Sequence, residues 1–205
     1  MDESQVLSLA RRVFSQDIEA LESLQRELGP GFYQTAAAVA RCPGIVWTTG
    51  VGTSAAVAER WAHILNCCGR PSMFLHPSDS MHGHAGVMRP GDLLVALSRG
   101  GESAEVNALA QMARQRQVTV VAMVHATQSS LAMMSDYILP VRSKQEYELQ
   151  GVIATTSTVV FSAMCDALAA VVWELTGYSL SDFARTHPGG AVGKMLAEPG
   201  REVSP

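Results

Sequence analysis

Residue types that could do chemistry cluster where short apolar runs of this chain stop. The run Leu93–Leu97 ends at a segment reading Ser-Arg-Gly-Gly-Glu-Ser, residues 98–103. Two glycines permit a sharp turn and let a ligand approach the backbone closely. Glu102 and Ser103 suit the first turn of a helix, where unpaired N–H groups and the helix dipole attract anions. The segment therefore predicts either an anion site or simply a tight strand-to-helix turn.

Polar loops follow three further apolar runs. They read GVGTSAA (50–56), HPSDSMHGH (76–84) and HATQSS (125–130), and most of the four loops are rich in Ser, Thr and Gly. Ligands of open parallel sheets bind beyond the carboxyl ends of the strands, so these loops are expected to meet at one edge. Many neutral donors with few charges suit a phosphate or a sugar phosphate.

Two other ligand classes fit these loops less well. In GVGTSAA, Ala55 occupies the place of the third glycine of a dinucleotide loop, and the lysine of a Walker loop is missing. His76, His82 and His84 invite a zinc site, with His82 and His84 on one side of a strand, but Asp79 is the nearest additional ligand. We therefore predict no metal and no cofactor, and interpret His82 as a polar pocket residue or proton shuttle.

Two carboxylates and a histidine near the C-terminal end are further candidate catalytic residues. The loop KQEYEL (144–149) carries Glu146 and Glu148, which are either solvated surface groups or a source of a general base. The next helix opens with hydroxyl residues, Thr155–Thr158, which offer more donors to an anion. His187, next to a proline and two glycines, either caps a helix or reaches a pocket, which could belong to a neighbouring subunit.

The elements that must position these residues alternate regularly. Apolar runs at 45–50, 72–76, 93–98, 118–125 and 137–141 are separated by helix-like segments. This pattern predicts an α/β fold with a five-stranded parallel sheet and helices on both faces. An amphipathic helix over 4–28 and a second helix precede the first run. The expected organisation is an N-terminal helical segment (1–43), a single ligand-binding domain (44–198) and a tail (199–205).

Composition limits the function classes. The 205 residues are 47% hydrophobic and 17% charged, with a net charge of -4 and no run of Lys or Arg. Nucleic acid and anionic membranes are therefore not expected as partners, and the apolar excess suggests subunit contacts. Four cysteines without a C-x-x-C pair, and no evident signal peptide, predict a cytoplasmic protein. The stretch Val159–Leu175 contains Asp166 and Glu174, so it predicts a buried helix rather than a membrane span.

Taken together, the motifs resemble a known family. GVGTS, HPSDSMHG, SRGGES, ATTST and DFARTHPGGAVGK are similar to the sugar isomerase (SIS) domain, and most similar to D-arabinose-5-phosphate isomerases, over Ile45 to Lys194. The resemblance implies interconversion of arabinose and ribulose 5-phosphates through an enediol, supplying the acid sugar Kdo. Family members are tetramers with sites at subunit contacts, and many carry CBS domains after this point.

The resemblance also implies roles for individual residues. Glu146 would take the C2 proton, His187 or His82 would open the ring or move protons, and Glu105 matches a further catalytic position. The expected phosphate-binding residues are Gly52, Thr53, Ser54, Ser98, Arg99, Gly100, Gly101, Ser103, Thr155, Ser157 and Thr158.

Two positions depart from the family pattern. Thr53 stands where these enzymes usually carry lysine, and Arg99 where they read asparagine. Arg99 would then take over the anion contact, although a solvent-facing arginine is the plain alternative. The departures leave two other functions open, an isomerase of another phosphosugar and a phosphosugar-binding regulatory module without catalysis.

Overall fold

Five short strands form one parallel sheet at the centre of the molecule. The computed structural model describes residues 1–189, 193 and 195. The strands are β1 (Val46–Thr49), β2 (Ser72–Phe74), β3 (Leu93–Leu97), β4 (Thr119–Val124) and β5 (Tyr137–Pro140). Their order is β2-β1-β3-β4-β5, and every neighbouring pair is parallel. The order reverses between β1 and β3, so the loops that follow these two strands diverge and leave space for a ligand.

Helices cover both faces of this sheet. In chain order they are α1 (Glu3–Arg26), α2 (Pro30–Arg41), α3 (Thr53–Cys67), α4 (Pro77–Ser80), α5 (Ala104–Gln115), α6 (Ser130–Met134), α7 (Thr156–Thr176) and α8 (Leu180–Thr186), with 3-10 turns at His84–Val87 and Gln145–Tyr147. Helices α1, α2, α3 and α7 pack on one face, and α5 and α6 on the other. The three-layer α/β architecture predicted from the alternating pattern is confirmed.

Strand β3 shows why the apolar runs lack alternation. All five of its residues are buried. Val95 and Leu97 contact the α3/α7 layer, while Leu94 and Ala96 contact the α5 layer. A strand covered on both faces has no polar side, which is the pattern of a central parallel strand.

A buried carboxylate, Asp92, lies at the edge of the sheet where the strands begin, opposite the edge where the strand-end loops lie. Asp92 is 7% exposed. It accepts hydrogen bonds from Ile45 N at 2.8 Å, Trp47 Nε1 at 2.8 Å and Arg89 N at 2.9 Å. These charge-assisted bonds join the starts of β1 and β3, so Asp92 sets the register of the two strands that flank the ligand space.

Helix α7 has the length and composition of a membrane span, yet nine of its residues are buried within the protein. It contacts α1, α2 and α3. A core helix of a soluble protein passes the same test, so hydropathy alone is weak evidence for membrane insertion.

One local expectation is wrong. Residues 82–84 do not form a strand: His82 and Gly83 lie in a turn after α4, and His84 begins a 3-10 turn. His82 and His84 therefore do not share a strand face. The C-terminal tail predicted at 199–205, with residues 190–192, 194 and 196–198, lies outside the described residues.

Candidate functional site

A cavity of about 220 Å³ opens at the carboxyl ends of β1 and β3. We call it the strand-end cavity. The first turns of α3 and α7 form two of its walls, and the loop after β3 forms another. Its lining residues are Val51, Thr53, Ser54, Val57, Leu97, Ser98, Arg99, Gly100, Ser103, Ala154, Ser157, Thr158 and Phe161. Eight of the residues predicted to bind phosphate are thus brought together: Thr53, Ser54, Ser98, Arg99, Gly100, Ser103, Ser157 and Thr158.

The loop after β3 is shaped by a serine and a glycine. Ser98 is 5% exposed, and its Oγ accepts a hydrogen bond from Gly101 N at 3.1 Å and lies 3.5 Å from Ser103 Oγ. Gly101 has φ +69°, and a Cβ there would come within 2.0 Å of Ser129 Oγ. Glycine is therefore required at this position. The N–H of Gly101 serves the turn itself, and Gly101 does not line the cavity.

Arg99 is the charged side chain among the described residues that line the strand-end cavity. Its Nη1 donates to Gln145 Oε1 at 2.6 Å and its Nη2 to Ser143 O at 3.4 Å. Its buried Nε has no hydrogen-bond partner and lies 3.6 Å from Glu148 Oε1. The side chain is 29% exposed. Arg99 is therefore held across the edge of the cavity, and the solvent-facing alternative is wrong.

The carboxylate of Glu148, which the sequence left as either a solvated surface group or a general base, reaches the start of α7. Its side chain is 2% exposed. Oε2 accepts from Thr155 N at 2.7 Å, and Oε1 accepts from Ser157 N at 3.1 Å. These two N–H groups are thus occupied by an internal carboxylate, so a bound anion would meet the hydroxyls of Ser157 and Thr158 instead.

A second, larger cavity of about 870 Å³ adjoins the first at Arg99, which lines both. We call it the adjoining cavity. It lies between α1, the end of β4 and the loop after β5. Its lining residues are Glu19, Ala20, Ser23, Arg26, Glu27, Arg99, His125, Arg142, Ser143, Lys144, Gln145, Glu146 and Tyr147. Glu146 therefore lies in the cavity next to the predicted phosphate site.

His125 is a residue of the site that sequence reasoning did not select. It directly follows β4, and its N–H donates to Arg99 O at 3.0 Å. Its Nδ1 accepts a hydrogen bond from Ser143 N at 3.3 Å. Burial, and then the charges of Arg99 and Arg142, lower the pKa of His125 below 6.5. Burial and the two arginines therefore favour the neutral form of the ring. Its place after a strand was the available signal.

The other predicted catalytic residues lie outside both cavities in this single chain. His82 and Glu105 are exposed. His187 stacks on Phe183 with ring centroids 3.8 Å apart, and its Nε2 lies 3.5 Å from Cys67 Sγ. Cys67 ends α3, whose other end lines the strand-end cavity, and a helix of this length spans about 20 Å. One chain alone therefore does not bring His187 to the cavity.

The remaining predicted binding residues shape the site from behind. Gly52 caps α3 with φ +57° and Thr155 caps α7. Thr155 Oγ1 accepts from Leu149 N at 3.0 Å, so it ties the preceding loop to the helix. Within residues 1–189, no three His, Cys, Asp or Glu side chains are arranged to hold a metal ion.

Comparison with known proteins places this geometry in context. A family model described as the SIS domain matches residues 41–171. The arabinose 5-phosphate isomerase KdsD of Shigella flexneri is 32% identical over 186 residues, which are 91% of this chain and 57% of that protein. The chain therefore spans little more than half the length of this curated relative.

Solved structures show the same architecture. A protein of E. coli CFT073 in complex with arabinose 5-phosphate has a TM-score of 0.88 at 26% identity, over 92% of this chain and 100% of that one. The sugar isomerase domain of an RpiR transcription factor from Sphaerobacter thermophilus has a TM-score of 0.73 at 24% identity, over 87% and 98%. The latter likeness is one of fold alone.

Proposed function

Because the chain belongs to the SIS domain family, we propose that it is an aldose–ketose isomerase acting on a pentose phosphate. The reaction is the interconversion of D-arabinose 5-phosphate and D-ribulose 5-phosphate through an enediol, and its product supplies Kdo biosynthesis. The relative named arabinose 5-phosphate isomerase and the solved structure holding arabinose 5-phosphate support this choice.

The observation that carries the proposal is the lining of the strand-end cavity. Six hydroxyl side chains and one guanidinium face a space of about 220 Å³. Such a lining binds a phosphate with neutral donors and one cation, while apolar Val57, Leu97 and Phe161 exclude water behind it. The rest of an open-chain pentose then extends past Arg99 into the adjoining cavity, which has room for it.

Glu146 is the proposed base, since it lines the adjoining cavity next to Arg99. It takes the proton from C2 of the aldose, and the C2–H electron pair forms the C1=C2 bond of the enediol. The carbonyl electron pair moves onto O1 as this bond forms. Transfer of the O2 proton to O1 and return of the C2 proton to C1 then yield the ketose. No cofactor enters this proton transfer.

A homotetramer is part of the proposal. Helix α1 exposes Val6, Leu7, Val13, Phe14 and Ile18, with Phe14 66% and Ile18 57% exposed. An apolar face of this size suits burial against further copies of the chain. A neighbouring subunit would then bring its His187 to the adjoining cavity. We propose that His82 and Glu105 enter catalysis in the same way, across a subunit contact. A cytoplasmic location is also proposed, because none of the four cysteines, all within residues 1–189, is joined to another by a disulfide.

The deciding experiment follows deuterium at C2. Purified, chelator-treated protein is mixed with arabinose 5-phosphate or ribulose 5-phosphate in deuterated buffer and observed by proton NMR. Deuterium at C2 of the aldose, together with ketose formation, is the expected result. Exchange with another phosphosugar alone would keep the mechanism and change the substrate.

A regulatory module without catalysis is the second candidate, since an RpiR transcription factor has a domain of the same fold. It predicts ligand-induced shifts in the protein without exchange of any sugar proton. Such a result would refute the isomerase.

A further inference from the structure

The chain has six histidines, and one of them faces the space where the proposed reaction takes place. His125 lines the adjoining cavity together with Arg99 and Glu146. The other five, all among residues 1–189, line neither cavity. Within a single chain, His125 is therefore the histidine that shares a cavity with Glu146, the proposed base, and with Arg99, the proposed phosphate-binding cation.

Hydrogen bonding fixes which nitrogen of His125 carries the proton. Ser143 N–H donates to Nδ1 at 3.3 Å, so Nδ1 holds a lone pair. In the neutral ring the proton must then lie on Nε2. The backbone of His125 is joined to Arg99 O at 3.0 Å, and Arg99 Nη2 is joined to Ser143 O at 3.4 Å. The imidazole is thus held between the loop after β3 and the loop after β5.

We infer that His125 is a further catalytic residue, whose Nε2–H donates a hydrogen bond to O1 of the open-chain aldose as the enediol forms. The inference rests on the proposed isomerase function and adds a residue to that site. Glu146 takes the C2 proton, the C2–H electron pair becomes the C1=C2 bond, and the carbonyl electron pair moves onto O1. The Nε2–H of His125 stabilises the negative charge on O1. The O2 proton passes to O1 and Glu146 returns its proton to C1, so atoms and charge balance.

A neutral histidine suits this step better than a charged one. A neutral imidazole donates a hydrogen bond to the developing oxyanion and keeps its own proton. It therefore does not protonate Glu146, which must be ionised to act as a base. Burial of the ring, and then the charges of Arg99 and Arg142, lower the pKa of His125 and so favour this neutral form. Arg99 therefore serves both the phosphate and the acid–base state of His125.

Two substitutions distinguish hydrogen-bond donation from packing. His125→Phe keeps a ring of similar size and removes the donor, whereas His125→Gln keeps an N–H donor near the position of Nε2. Loss of one donor to a developing oxyanion lowers kcat by roughly 100- to 1000-fold. We expect that loss for the phenylalanine variant with KM within about threefold of the wild type, and partial rescue, to within about tenfold of the wild-type kcat, by glutamine.

Three controls keep the test decisive. His84→Gln changes an exposed histidine outside both cavities and should leave kcat unchanged. Circular dichroism and thermal unfolding show whether each variant is folded. His187→Gln is assayed in parallel, because a histidine from a neighbouring subunit is the competing source of the same proton chemistry.

The outcomes separate the inference from the function beneath it. If the wild type exchanges C2 protons and folded His125→Phe keeps full kcat, or surpasses His125→Gln, the role of His125 is refuted while the isomerase stands. Loss of turnover in His187→Gln with full turnover in His125→Phe refutes it as well. A wild-type protein that exchanges no sugar proton refutes the isomerase itself.

Discussion

Replacing Arg99 by alanine removes the cation from the strand-end cavity and leaves its hydroxyl groups in place. The guanidinium donates hydrogen bonds to Gln145 and Ser143. The backbone oxygen of Arg99, which accepts a hydrogen bond from His125 N, is unchanged by the substitution. The β3 loop is therefore expected to keep its shape, since that shape depends on Ser98 and Gly101.

The expected loss of affinity follows from the charges. A hydrogen bond to a charged group contributes about 1.5–3 kcal/mol, which corresponds to roughly 10- to 150-fold in the dissociation constant. The Glu148 carboxylate lies 3.6 Å from Arg99 Nε and partly neutralises the guanidinium, so the lower part of that range is expected. Arg99→Lys should lie between the alanine variant and the wild type, because lysine keeps the charge and loses the forked geometry.

Calorimetric titration with arabinose 5-phosphate, and with inorganic phosphate, measures this loss. Arg41→Ala is the matched control: it removes an exposed arginine at the end of α2, which precedes β1 and so lies at the opposite edge of the sheet. A dissociation constant for Arg99→Ala within twofold of that for Arg41→Ala would refute the assignment of Arg99 as the phosphate anchor. A matching loss for both ligands would show that the affected contact is with the phosphate.

Three further results are expected. Glu146→Gln should abolish C2 deuterium exchange while sugar-phosphate affinity stays within about threefold, and full exchange would refute its role as the base. Asp92→Ala should lower the free energy of unfolding in urea by about 3–5 kcal/mol, because three donors lose a charged acceptor; a change below about 1 kcal/mol would contradict this. Glu102 accepts a hydrogen bond from Ser130 N, which lowers the pKa of Glu102 below 4.5. The ionised carboxylate therefore stabilises the fold above pH 4.5, and this contribution is lost as the pH falls through the lowered pKa. Glu102→Gln should accordingly reduce Tm at pH 7 and leave it unchanged near pH 2, and an equal reduction at both pH values would exclude the ionised form as the cause.

The positions of the strands and of the strand-end loops could be read from the sequence because their causes are local. A run such as Leu93–Leu97 is apolar throughout since both of its faces are covered, and Gly100 and Gly101 mark the turn that follows. Parallel strands carry their loops to a common edge, so Ser54, Ser98 and Ser157 could be expected to meet without knowledge of the tertiary structure.

The surroundings of Arg99 were decided by the tertiary structure alone. Its partner Gln145 lies 46 positions away, and His125 lies 18 positions from Ser143. Burial and hydrogen bonding across such separations depend on how the loops pack, and a glutamate such as Glu148 looks in the sequence like any solvated carboxylate. The alternation of strands and helices along the sequence therefore determined where a phosphosugar site would form. Only the packing of the loops after β3, β4 and β5 decided that the Glu148 carboxylate would accept hydrogen bonds from the start of α7. The same packing decided that His125 rather than His82 would face the adjoining cavity within one chain.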